Sequence, residues 1–139
     1  MNKKNFFFKI FLYFLICHTI IWIVVPLFTN QNLPLDTIEH LAWGSNLDWG
    51  FNKHPPLVAF ASEIFYRIFG NQDWAFYLLS QVFVLSGFVV VWKLSVIFFK
   101  NDFYSLISIF LLEGIYFYNF TSPEFNVNIT QIPFWALTV

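Results

Sequence analysis

A lysine, a histidine and two prolines stand together at Lys53-His54-Pro55-Pro56, in the stretch GFNKHPPL (50–57) of a chain otherwise rich in Phe, Leu and Ile. Consecutive prolines fix the backbone just after Lys53 and His54 and so keep both side-chain tips in one place. Lysine supplies a compact point charge and histidine a directional donor, equipment that suits a phosphate held at a membrane surface. Anchoring beside lipid headgroups is the plainer alternative for both residues. Rigid placement favours binding.

Further carboxylates lie in two polar stretches. In DTIEHLAW (36–43), Ile38, Leu41 and Ala42 recur at helical spacing, while Asp36, Glu39, His40 and Trp43 share the opposite face. This pattern predicts a short amphipathic helix lying on the bilayer surface. Spacing alone favours Asp36 as the N-cap, with Glu39 completing a capping box and His40 an ordinary polar-face residue. Glu124, in TSPEFNVN (121–128), taken alone is a solvated turn carboxylate. A short loop between two spans nevertheless carries it toward the mouth of the bundle, where Asp36 resides.

The elements that must position these groups are membrane-spanning. Of 139 residues 58% are hydrophobic, 24% aromatic and 11% charged, and the mean hydropathy of +0.64 is well above that of soluble domains. A net charge of -1 says nothing about nucleic acid, and no nucleic-acid partner is expected. A single cysteine, Cys17, excludes both an intrachain disulfide and a cysteine metal site. Glycine-rich phosphate loops, catalytic serine elbows, zinc spacings and tandem repeats are absent from the sequence.

Phe6 to Phe28 reaches about 34 Å as a helix, enough to cross a hydrocarbon core of about 30 Å. Lys3, Lys4 and Lys9 lie at its start, but the run is too long for a signal-peptide core and no small-residue cleavage site follows. An uncleaved anchor with a cytoplasmic N-terminus is expected, with His18 packing against a neighbour or bonding a carbonyl. Leu57 to Phe69 gives only about 20 Å of helix, starts at Pro55-Pro56, stops at Gly70-Asn71 and contains a Glu63/Arg67 i,i+4 pair. It is expected to ride on the outer leaflet; a short tilted span is the alternative. Spans are predicted at about 74–99 and 103–120, joined by a tight turn at Lys100-Asn101-Asp102. Glu113, inside the later span, is expected to bond a neighbouring helix. An incomplete span begins near Gln131, with outer loops at 29–73 and 121–130.

This arrangement puts Lys3, Lys4, Lys9, Lys93 and Lys100 inside and Lys53 and Arg67 outside, in agreement with the positive-inside rule. It also brings Asp36 and Glu124 to the same extracytoplasmic face, provided that 57–69 stays out of the hydrocarbon.

The lysine-led first span, LPLDTIEHLAWGSNLDWGFNKHPPLVAF and NFTSPEFNVNITQIPFWALT together resemble the N-terminal part of bacterial GT-C membrane glycosyltransferases of family 39. That family includes protein O-mannosyltransferases and the aminoarabinose transferases of lipid A. The resemblance runs over essentially the whole chain and is most specific at Asp-x-x-Glu and Lys-His-Pro-Pro. It implies an all-α transmembrane bundle in the bacterial inner membrane, with extracytoplasmic active-site loops and short interfacial helices in the first loop. The implied donor is a polyprenyl-phosphate-linked sugar and the acceptor lipid A, a protein or another glycan, with membrane lipids as surroundings. Asp36 matches the family's first-loop acid, Lys53 and His54 its phosphate-contacting element, and Glu124 its second-loop acid. Many members carry two adjacent acids in the first loop; here Thr37 takes the second place, and Glu39 follows a little later. No cofactor is certain, and a divalent metal remains open.

Under that resemblance Asp36 is the candidate base, accepting a proton from an acceptor hydroxyl as the anomeric carbon is attacked. Lys53 and His54 would meet the charge developing on the polyprenyl-phosphate leaving group, and Glu39 and Glu124 would contact substrate. Members of the family are several times longer, so the chain corresponds to about their first third and is expected to be inactive alone. The competing expectation is a small non-catalytic helical membrane subunit. A transporter fragment fits less well, because the ionisable residues gather in the outer loops and not at the bilayer midplane.

Overall fold

The structure is a computed structural model that describes residues 3–139, with side chains described from Phe6 onward; the side chains of Lys3 and Lys4 lie outside the described set. Among the described residues six α-helices follow one another: α1 (Lys3–Thr29), α2 (Leu35–Gly44), α3 (Pro56–Phe69), α4 (Asp73–Phe99), α5 (Asp102–Glu113) and α6 (Val127–Leu137), with a 3-10 turn at Tyr116–Tyr118 before α6. No strand occurs among the described residues. The chain is an all-α membrane protein.

Two helical stretches, Phe6–Thr29 and Asp73–Phe99, are long and apolar enough to cross a membrane. Their outward faces carry Phe28, Ile97 and Phe98, exposed at 83%, 68% and 70%. Water would penalise so much bare apolar surface, whereas hydrocarbon does not. The core between the helices is aromatic. Phe11 stacks on Trp92 at 4.4 Å, Phe14 meets Phe88 edge-on at 5.3 Å, and Asn30 Nδ2 donates to the Tyr77 hydroxyl at 3.3 Å. Rising numbers in α1 meet falling numbers in α4, so the two helices are antiparallel. Phe7 against Phe103 and Phe14 against Phe110 make α5 parallel to α1. Phe83 packs on Phe125, and Gly87 faces Ile132 further down, so α6 descends beside α4. The C-terminal end of α1 and the N-terminal end of α4 therefore meet at one end of the bundle, where α2 and α3 lie, with the C-terminal end of α5 and the N-terminal end of α6 directed toward it.

Local chemistry sets most boundaries. Pro55-Pro56 opens α3, since a proline at the first helical position forfeits no intrahelical bond, and Gly70 (φ 70) closes it. The expected Glu63–Arg67 pair is present, Arg67 Nε to Glu63 Oε1 at 2.7 Å. Lys100 turns the chain in the left-handed region (φ 50), and Asn101 then caps α5 by accepting from the Phe103 N–H at 3.0 Å. His18 Nδ1 and Glu113 Oε2 approach to 3.1 Å, bringing α1 against the last residue of α5, although the contact lacks hydrogen-bond geometry.

Three boundaries differ from expectation. The helix of the 103–120 segment stops at Glu113, about 18 Å from its start. There the Asn119 side-chain amide turns back and donates to the Glu113 carbonyl, and the chain resumes only as the 3-10 turn. The last helix begins at Val127 and not near Gln131, because the Asn126 side chain accepts from the N–H groups of Asn128 (3.0 Å) and Ile129 (3.1 Å). Asp36 is not the N-cap of α2: that position is Pro34, which makes no side-chain cap bond, and Asp36 lies within the first turn.

The buried stripe of α2 is Thr37, His40 and Gly44, not its apolar residues; Leu35 and Ile38 are exposed at 78% and 45%. Gly44 explains the closeness of α2 to α3, for a Cβ there would come within 2.7 Å of the Ala59 carbonyl oxygen and 3.0 Å of Glu63 Cβ. Gly44→Ala is therefore expected to destabilise the α2–α3 hairpin by about 1–3 kcal/mol, read as a lowered thermal unfolding midpoint in detergent; an unchanged midpoint would refute this packing.

Candidate functional site

Polar groups otherwise rare in this chain concentrate at the gathered end of the bundle. The 119–126 segment is fastened there by buried hydrogen bonds. Ser80 Oγ of α4 donates to the Ser122 carbonyl, Gln81 Nε2 donates to Ser122 Oγ at 3.1 Å, and Ser122 Oγ donates to the Asn119 carbonyl at 2.7 Å. Thr37 Oγ1 of α2 donates to the Phe125 carbonyl at 3.2 Å. Ser80, Gln81, Ser122, Thr37 and Phe125 are all fully buried, so each lost partner leaves an unsatisfied group at a cost of about 1–3 kcal/mol.

That last bond bears directly on the predicted residues, because Thr37 follows Asp36 and Phe125 follows Glu124. The first-loop helix and the second-loop acid are thus joined by backbone neighbours. Glu124 lines a cavity of about 290 Å³ with Trp22, Asn30, Tyr116 and Phe120, and Pro34, two residues before Asp36, belongs to the same lining. Asp36 and Glu124 are both half-buried.

Lys53 and His54 sit on the other flank of α2. Lys53 Nζ donates to Glu39 Oε1 at 2.7 Å. This bond holds the Glu39 carboxyl below the usual carboxylate range and raises the Lys53 ammonium above the usual lysine value, with Asp36 adding to the latter effect at longer range. His54 is held by rings instead: its imidazole lies 5.5 Å from His40 and 5.8 Å from Trp43. Trp43 in turn stacks on Phe51 at 5.3 Å with the rings nearly parallel. Loop 45–55 therefore folds back on the aromatic face of α2, and the two prolines continue it into α3. Asp36, Glu39, Lys53 and His54 accordingly occupy one neighbourhood, with Glu124 reached across the Thr37–Phe125 contact.

His40 departs from its expected place on a solvated polar face. It is fully buried, and neither ring nitrogen has a hydrogen-bond partner among the described residues. Burial lowers its pKa from the ordinary 6.5, the Phe125 carbonyl opposing this in part. Sequence reasoning also passed over Ser80, Gln81 and Ser122. Adjacent Ser-Gln in an apolar span was a usable signal, since polar groups in membrane helices face partners rather than lipid.

No group of three His, Cys, Asp or Glu side chains converges among the described residues to hold a metal ion.

The model of the family described as dolichyl-phosphate-mannose-protein mannosyltransferase matches residues 53–139, more than half of the chain. The chain belongs to that family. The dolichyl-phosphate-mannose-protein mannosyltransferase match begins at Lys53 and takes in His54, Pro55, Pro56, the Ser122 node and Glu124, whereas Asp36 and Glu39 precede it. Membership makes this a chain of a GT-C-type membrane glycosyltransferase family. No curated protein and no solved structure matches the chain.

The folded pKa of His40 lies below its unfolded value, so unfolded chains bind a proton that the native state refuses. Stability is then undiminished above the ordinary histidine range and falls as pH drops through about 6.5 toward the folded pKa. His40→Gln is expected to flatten this decline in the unfolding midpoint between about pH 7 and 5, and an unaltered pH profile would remove His40 as its source.

Proposed function

We propose that the chain forms the N-terminal part of a glycosyltransferase that takes its sugar from a polyprenyl-phosphate donor at the extracytoplasmic face of a bacterial inner membrane. The observation that carries the reading is the combination of the family match over Lys53-His54-Pro55-Pro56 with the Lys53–Glu39 contact, which brings that element against the Asp36 helix. The acceptor class is lipid A, a protein or another glycan. In this reading the protein is multi-pass, its N-terminus is cytoplasmic, and α2 and α3 rest at the outer interface.

The chemistry follows from the groups present. A sugar leaving a polyprenyl phosphate transfers its anomeric carbon to an acceptor oxygen; the C–O bond to phosphate breaks as the new C–O bond forms. Asp36 accepts the proton of an acceptor hydroxyl, or orients the sugar if the acceptor is an already ionised phosphate. The departing phosphate gathers negative charge, which Lys53 and His54 stabilise from fixed positions. Glu39 and Glu124 complete the substrate-binding set, Glu39 through Lys53 and Glu124 from the aromatic-lined cavity. The half-buried place of Asp36 within the first turn of α2, unengaged as a cap, supports a role beyond local helix structure.

Asp36→Asn in the natural-length protein is expected to lower the transfer rate by about 100-fold or more, as removal of a general base does, while Lys53→Ala and His54→Ala weaken use of the donor. Wild-type turnover in Asp36→Asn would exclude it from the chemistry, and unchanged donor affinity in both other variants would exclude the phosphate role.

A further inference from the structure

The ammonium group assigned to the donor phosphate is already engaged, since Lys53 Nζ donates to Glu39 Oε1 at 2.7 Å. Both side chains reach solvent, Lys53 at 62% and Glu39 at 28%, and an ion pair open to water is weak enough to be exchanged. The surrounding charges favour exchange. Asp36 also acts on Lys53 at longer range, and buried His40 is biased toward its uncharged form. Two carboxylates about the Lys53 ammonium offset its charge, so a phosphate meets that ammonium more fully once the touching carboxylate withdraws, with His54 beside it. Asp36 belongs to the first turn of α2 and makes no contact of its own with Lys53, whereas Glu39 touches it.

We propose that Glu39 is the resident counter-anion of the phosphate subsite: it holds the Lys53 side chain in place while the subsite is empty and gives way to phosphate oxygens when the lipid phosphate arrives. The inference rests on the reading of Lys53 as a phosphate ligand. The exchange is non-covalent, one charge-assisted hydrogen bond replacing another of the same kind. It requires only side-chain motion, because the backbone around Lys53 is fixed independently. Trp43 stacks on Phe51 before it, His54 packs on His40 and Trp43 after it, and the prolines follow. Glu39 is thus a positioning residue that lowers affinity for the anion: it keeps the lysine ordered but competes for it.

Binding of polyprenyl monophosphate to the natural-length protein in nanodiscs separates the alternatives. Glu39→Gln and Glu39→Ser are both expected to bind about threefold more tightly than wild type, with unchanged thermal unfolding midpoints as a check of folding. Lys53→Ala binds more weakly, and in the Glu39→Gln/Lys53→Ala double variant the gain disappears, since Glu39 acts through Lys53. Should Lys53→Ala weaken binding while the Glu39 variants bind as wild type or more weakly, the counter-anion role is overturned and Lys53 remains a phosphate ligand. Binding unaltered by Lys53→Ala overturns both.

Discussion

Ser122 is the point on which the polar end of the bundle depends. Its carbonyl accepts from Ser80 and its hydroxyl from Gln81, both in the longest apolar stretch of α4. In hydrocarbon such groups must find partners within the protein, because no water is available to replace them. The loop after α5 is therefore drawn onto α4. With it come Phe125, whose carbonyl satisfies Thr37 of α2, and Glu124, which turns into the cavity beside the end of α1. A requirement of backbone and side-chain hydrogen bonding thus brings together two acids far apart in sequence without any direct contact between them.

On the other flank of α2 the constraint is aromatic. Trp43 organises the fold-back of loop 45–55 by stacking on Phe51 and meeting His54 and His40, contacts worth about 0.5–1.5 kcal/mol each beyond their buried area. They hold the lysine backbone independently of the Lys53–Glu39 ion pair, so that the backbone does not depend on the charge contact. Tightness between α2 and α3 comes from Gly44, whose missing side chain lets α3 approach. The same close packing turns Thr37 and His40 inward and leaves Leu35 and Ile38 exposed, toward lipid in the membrane setting proposed here.

Much of this was legible in the sequence where one residue type carries one physical rule. Pro55-Pro56 and Gly70 bracket α3, Glu63 meets Arg67 one turn later, and the chain turns at Lys100 between α4 and α5. Legibility failed where a tertiary partner outbid the local pattern. The hydropathy of 103–120 gives no sign that Asn119 will cap the Glu113 carbonyl and break the helix. Asp36 and Glu39 have capping-box spacing, yet Pro34 starts α2, and Glu39 spends its carboxylate on Lys53. His40 shares a helical face with charged residues at the level of periodicity, but its ring turns into the buried stripe with Thr37 and Gly44. His18 and Glu113 were each expected to find some neighbour; that they find one another depends on the register between α1 and α5, which single-sequence periodicity does not encode.

A shared site requires α2 and the Glu124 loop to occupy the same side of the membrane. Sided labelling with a membrane-impermeant thiol reagent on intact cells tests this, using single cysteines at Leu35, Glu124 and Lys100 in a Cys17→Ser background. Positions 35 and 124 are expected to react from outside and position 100 only after the membrane is opened. Labelling of position 124 solely from the cytosolic side, with position 35 reacting from outside, would contradict the shared site.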